Sequence, residues 1–124
     1  MYHVQAELDR IADIMKRANS VALTTVSNPA SVEAVSTHIP AAHVVHMACH
    51  GVQNWDDALN SGFCLRDGDL TISSLMKLKL DNGLLAFLSA CETAKGDQRQ
   101  PDQIIHLAAA MLFAGFRNVI ATLW

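Results

Sequence analysis

The sequence predicts an α/β domain in which one parallel sheet carries helices on both faces, and three observations lead there. Four short apolar runs, near 21–26, 43–49, 84–90 and 118–123, are separated by segments that contain helical periodicity. Hydrophobic residues make up 51% of the 124 and charged residues only 17%, which implies one dense core rather than two domains or a disordered tail. Strands alternating with helices close by right-handed crossovers, which makes the strands parallel and covers the sheet on both sides.

The elements follow in order. Val4, Leu8, Ile11, Met15 and Ala18 recur at helical spacing with charged residues between them, and Asp13 and Arg17 stand four apart, so residues 2–18 form an amphipathic helix. Val21–Val26 is short and β-branched and reads as the first strand. Asn28-Pro29 has the form of a cap and first-turn proline for a helix near 29–38, which Pro40 stops. Ala42–Ala48 is the second strand and ends at Cys49-His50-Gly51. Residues 51–70, with Gly51, Gly62 and Gly68, form a loop or short hairpin. Thr71 caps a brief helix through Leu78, Asp81-Asn82-Gly83 turns the chain, and Leu84–Ala90 is a continuous apolar run suited to a central strand. Pro101 opens a helix whose core face is expected at Ile104, Ala108, Met111, Leu112 and Gly115, and 119–124 is the last strand. Neither a repeat nor a low-complexity segment is visible.

Composition excludes several functions. Nine Lys+Arg against twelve Asp+Glu give a net charge of −3 with no basic run, so nucleic acid is not an expected partner. The longest apolar stretch, Leu107–Gly115, is too short for a bilayer, and Met1–Glu7 lacks the pattern of a secretory signal, so neither membrane nor export is expected. Cys49, Cys64 and Cys91 are odd in number and lack a disulfide-framework spacing, which points to a reducing, cytoplasmic setting.

Two strand ends carry the chemistry: His46-Met47-Ala48-Cys49-His50-Gly51 and Leu88-Ser89-Ala90-Cys91-Glu92-Thr93. Ligands of open parallel sheets bind at the carboxyl ends of the strands. If these two strands are neighbours, about 4.8 Å apart, His50 and Cys91 face one crevice. A thiolate there attacks a carbonyl, an imidazole passes the proton to the leaving amine, and backbone N–H groups at Gly51 and Cys91 hold the oxyanion. Residue types alone favour a blander reading, since a cysteine in so apolar a chain is most often a small packed hydrophobe.

The strings HMACHGVQ at 46–53, LTISSL at 70–75, AFLSACETAKGD at 86–97 and IIHLAAAMLFAGFRNVIATLW at 104–124 together resemble the CHAT domain, a caspase-like domain often found with tetratricopeptide repeats. The resemblance is most specific at the His-Gly and Ser-Ala-Cys-Glu-Thr blocks and looser before residue 40. The HLAAAMLFAGFR stretch is most similar to fungal members. The resemblance implies a caspase–hemoglobinase-like fold and a cysteine peptidase dyad in which His50 matches the catalytic histidine and Cys91 the nucleophile. It also implies a protein or peptide substrate, accompanying tetratricopeptide repeats, and no cofactor or metal.

Departures from the family pattern lie at both ends. The family fold starts with a strand before the first helix and continues beyond the Leu123-Trp124 block, so the chain is expected to be a partial CHAT domain over 1–124, inactive when isolated. Glu92 next to Cys91 opposes thiolate formation, so activation must come from elsewhere.

Two alternatives stay open. One is a catalytically silent CHAT-type interaction module. The other is a zinc site from His46, Cys49, His50 and Cys91, against which strand alternation places His46 and His50 on one face and Cys49 on the other, with no CxxC pair. His43 and His106 are expected at the solvent edge, Cys49 and Cys64 in the packing, and Asp56-Asp57 and Glu92–Asp97 as solvated polar segments.

Overall fold

The apolar stripe of the first helix is real: α1 spans Tyr2–Arg17, with Val4, Leu8, Ile11 and Met15 all half-buried. Arg17 pairs with Asp13 at 2.8 Å on its exposed side. This is a computed structural model, and it describes residues 2–19, 21–26, 30–89 and 100–122.

Residues 21–26 correct the sequence reading. They form no strand: Val21 is 53% exposed, Leu23 is exposed too, and only Val26 packs against the core. β-Branched composition expresses a fit to a pleated, half-buried surface, and without a partner strand it does not build one. Among the described residues the main sheet therefore has three strands where four are predicted. The next helix, α2 (Val32–His38), is capped by Ser31, whose hydroxyl accepts the Ala34 N–H at 3.1 Å. The proposed cap Asn28-Pro29 lies outside the described residues. α2 ends before Pro40, which occupies the first turn of a 3₁₀ segment, Ile39–Ala41.

β1 (Val44–Ala48), β5 (Leu85–Ser89) and β6 (Asn118–Ala121) form a parallel sheet in the order β1-β5-β6. Val45, Ala86 and Val119 share one register level and Met47, Leu88 and Ala121 another, so these six residues make one face. That face meets Leu107, Ala110, Met111 and Ala114 of α4 (Gln100–Ala114) in a single core, together with Leu75 of α3 (Ile72–Lys77) and Val35 of α2. The opposite face carries Val44, His46, Leu85, Phe87, Ser89 and Ile120, and α1 lies over part of it. Helices thus flank both faces, as the sequence predicts.

Of the loop or short hairpin expected over 51–70, the hairpin forms and a third strand joins it. β2 (Gly51–Val52), β3 (Gly62–Cys64) and β4 (Asp69–Thr71) make a small antiparallel sheet that adds Phe63 and Leu70, both fully buried, to the core. Gly62 is required there, because a Cβ would collide with the Leu70 carbonyl oxygen of β4. Thr71 caps α3 as expected, accepting the Ser74 N–H at 3.1 Å.

The core face of α4 is rotated from its predicted position. Leu107, Ala110, Met111 and Ala114 are buried, whereas the predicted core residue Leu112 is 50% exposed and Gly115 lies at the surface. The helix ends in paired bonds, Gly115 N–H to Leu112 O at 3.2 Å and Phe116 N–H to Met111 O at 3.1 Å, with Gly115 at φ +127°. Among the described residues no helix is long and apolar enough to cross a membrane.

Candidate active site

The carboxyl ends of β1 and β5 lie side by side, Ala48 level with Ser89. Beyond Ala48 the chain leaves the main sheet. Cys49 is half-buried against the core, His50 is exposed, and Gly51 begins β2. The His50 carbonyl accepts the Cys64 N–H at 2.8 Å. That bond flanks a non-hydrogen-bonded Gly51–Phe63 pair, so the Gly51 N–H is aimed away from β3.

The segment after β2 is held by short-range polar contacts. Ser61, buried, accepts the Asn54 N–H at 2.9 Å, and Asn54 Oδ1 accepts the N–H groups of Asp56 and Asp57. Asp57 in turn caps the 3₁₀ segment Ala58–Asn60 through the Leu59 N–H at 3.0 Å. Asp56 and Asp57 are solvent-exposed as expected, and they also build the turn that returns the chain to β3 behind His50.

A polar cluster lies on the open face, which the sequence reading considered only as part of a zinc set. His46 Nε2 is 2.9 Å from Ser89 Oγ and 3.2 Å from Glu7 Oε1 of α1, and the ring meets Phe87 edge-on at 5.1 Å. Ser89 is 3% exposed, so its hydroxyl needs this partner. Alternation within β5 puts Phe87 and Ser89 on one face, but His46 joins them only through the β1–β5 register and Glu7 only through the placement of α1, neither of which has a local sequence signal. Both oxygens meet one ring nitrogen, so the arrangement is a tether and not a nucleophile–base–acid chain.

His46 and Cys49 do point to opposite faces, and no group of three or more His, Cys, Asp or Glu side chains converges among the described residues. His43 and His106 are exposed, as expected. Cys64 is exposed too, which corrects its assignment to the packing: in the β3 strand Phe63 takes the inward position and Cys64 the outward one. Cys91 and the segment Glu92–Asp97 lie outside the described residues.

The family model of the CHAT domain matches residues 1–124. The chain belongs to the CHAT domain family. No curated protein matches it in addition. For a CHAT domain, a caspase-like domain family, the parallel β1-β5-β6 sheet flanked by helices is the expected architecture, and the adjacency of the strands leading to the His-Gly and Ser-Ala-Cys blocks agrees with it.

Proposed function

We propose that this CHAT domain is a cysteine peptidase domain in which Cys91 is the nucleophile and His50 its acid/base partner. The supporting observation is adjacency: β1 and β5, the strands whose ends lead in sequence to His50 and to Cys91, are parallel neighbours and are level at Ala48 and Ser89. The Cys91 thiolate attacks the scissile carbonyl carbon, and the resulting oxyanion takes the N–H of Gly51, which is aimed away from the β3 ladder, and that of Cys91. His50 gives its proton to the departing amine, leaving an acyl-enzyme thioester. Water, deprotonated by His50, then releases the acid and returns the thiol. The substrate is a protein or peptide, and a reducing, cytoplasmic setting keeps the thiol available.

A peptide chloromethyl ketone followed by mass spectrometry tests the reading. Alkylation at Cys91 that disappears in Cys91→Ala and slows in His50→Ala supports it. Alkylation confined to exposed Cys64 contradicts it.

A second reading, a docking module without turnover, has its own observation. Ile105, Leu112 and Phe113 are exposed on α4, Phe113 at 80%. It gains if Cys91→Ala leaves the cellular role of the protein intact.

A further inference from the structure

The open face of the β1-β5-β6 sheet is only partly filled by α1. Between them lies a cavity of about 690 Å³ that is largely open to solvent. Its walls are apolar: Ile11 and Met15 from the helix, Leu85 and Phe87 from β5. Three ionisable side chains line it as well, Glu7, Arg10 and His46, and they are not equivalent. The Glu7 carboxylate is held against His46 Nε2 at 3.2 Å, and the other partner of that nitrogen is Ser89. Arg10 has no hydrogen bond or ion pair among the described residues, so it is the charge left over at the cavity wall.

We propose that this cavity is a binding site for a small apolar carboxylate, an aryl or long-chain alkyl acid, with the carboxylate on Arg10 and the body against Leu85 and Phe87. Charge complementarity selects the anion. A guanidinium takes a carboxylate through two parallel hydrogen bonds, and the neighbouring Glu7 is turned to His46 and forms no ion pair with Arg10. The apolar walls select the body, since a small hydrophilic anion would leave Ile11, Met15 and Phe87 bare. An aromatic body has a ready partner in Phe87, whose ring edge or face lines the floor beside His46. The site lies beneath α1, involves neither His50 nor Cys91, and does not rest on the peptidase reading.

The test uses 2-naphthoate and the uncharged 2-naphthol at neutral pH, titrated into the full chain by calorimetry and by amide chemical shifts. The expected result is saturable naphthoate binding with shifts centred on α1, β1 and β5. Arg10→Gln, at an exposed helix position, is expected to weaken naphthoate by about fivefold and leave naphthol unchanged. Ala6→Trp, which fills the cavity from the helix side, is expected to weaken both ligands. Absence of saturable naphthoate binding, shifts centred elsewhere, or equal naphthoate affinity in Arg10→Gln overturns the proposal.

Discussion

His46 Nε2 lies 2.9 Å from Ser89 Oγ, a diagonal bond that ties β1 to β5 at the last described register step before the strands end. Removing it with Ser89→Ala leaves a part-buried imidazole with one polar partner fewer. The expected cost is about 1–2 kcal/mol, read as a lower urea midpoint with an unchanged slope. Unchanged stability would show that the contact is incidental.

Gly115 ends α4 at φ +127°, and a Cβ there would stand 2.7 Å from the Leu80 carbonyl oxygen. Gly115→Ala combines backbone strain with a collision against main chain, so a loss of at least about 2 kcal/mol is expected. Gly68→Ala is the control: the nearest atom to its added Cβ is a Val32 methyl at 3.8 Å, and its effect should stay within about 0.5 kcal/mol. Thermal melts of the two variants side by side separate them.

The phase of α4 is tested by truncating two leucines on different faces. Leu107 is 0% exposed, so Leu107→Ala is expected to cost about 2–5 kcal/mol. Leu112→Ala, at a half-exposed position, should cost under about 1 kcal/mol. Equal losses by denaturant titration would contradict the observed rotation.

Much of the fold is legible in the sequence because its signals are local. The stripe of α1, the Thr71 cap and the apolar runs of β1 and β5 each contain their own evidence. What fails is what depends on partners. Val21–Val26 has strand composition but pairs with no strand among the described residues. In α4 the run Leu107–Ala114 is apolar on nearly every side, so periodicity does not fix which face turns inward, and only packing against α3 and β6 does. In the candidate site, the adjacency of the two strands is readable from crossover logic, whereas the tether from Glu7 to His46 joins residues far apart in sequence and has no local signature.

Cysteine exposure gives an independent check on the small sheet. Cys64 faces solvent from β3 and Cys49 packs partly against the core. Iodoacetamide on the native protein should modify Cys64 well before Cys49, with both reacting after unfolding. Mass spectrometry of tryptic peptides reads the order, and faster reaction at Cys49 would mean that the chain after β1 is placed wrongly.

Peptide hydrolysis by the protein and by its His50→Ala, Cys91→Ala and Cys49→Ala variants, measured on a mixed peptide library, tests the dyad most directly. Because nucleophile and base act as one unit, His50→Ala and Cys91→Ala should each remove nearly all turnover, while Cys49→Ala retains it. Turnover that survives Cys91→Ala and is lost in Cys49→Ala would contradict the account.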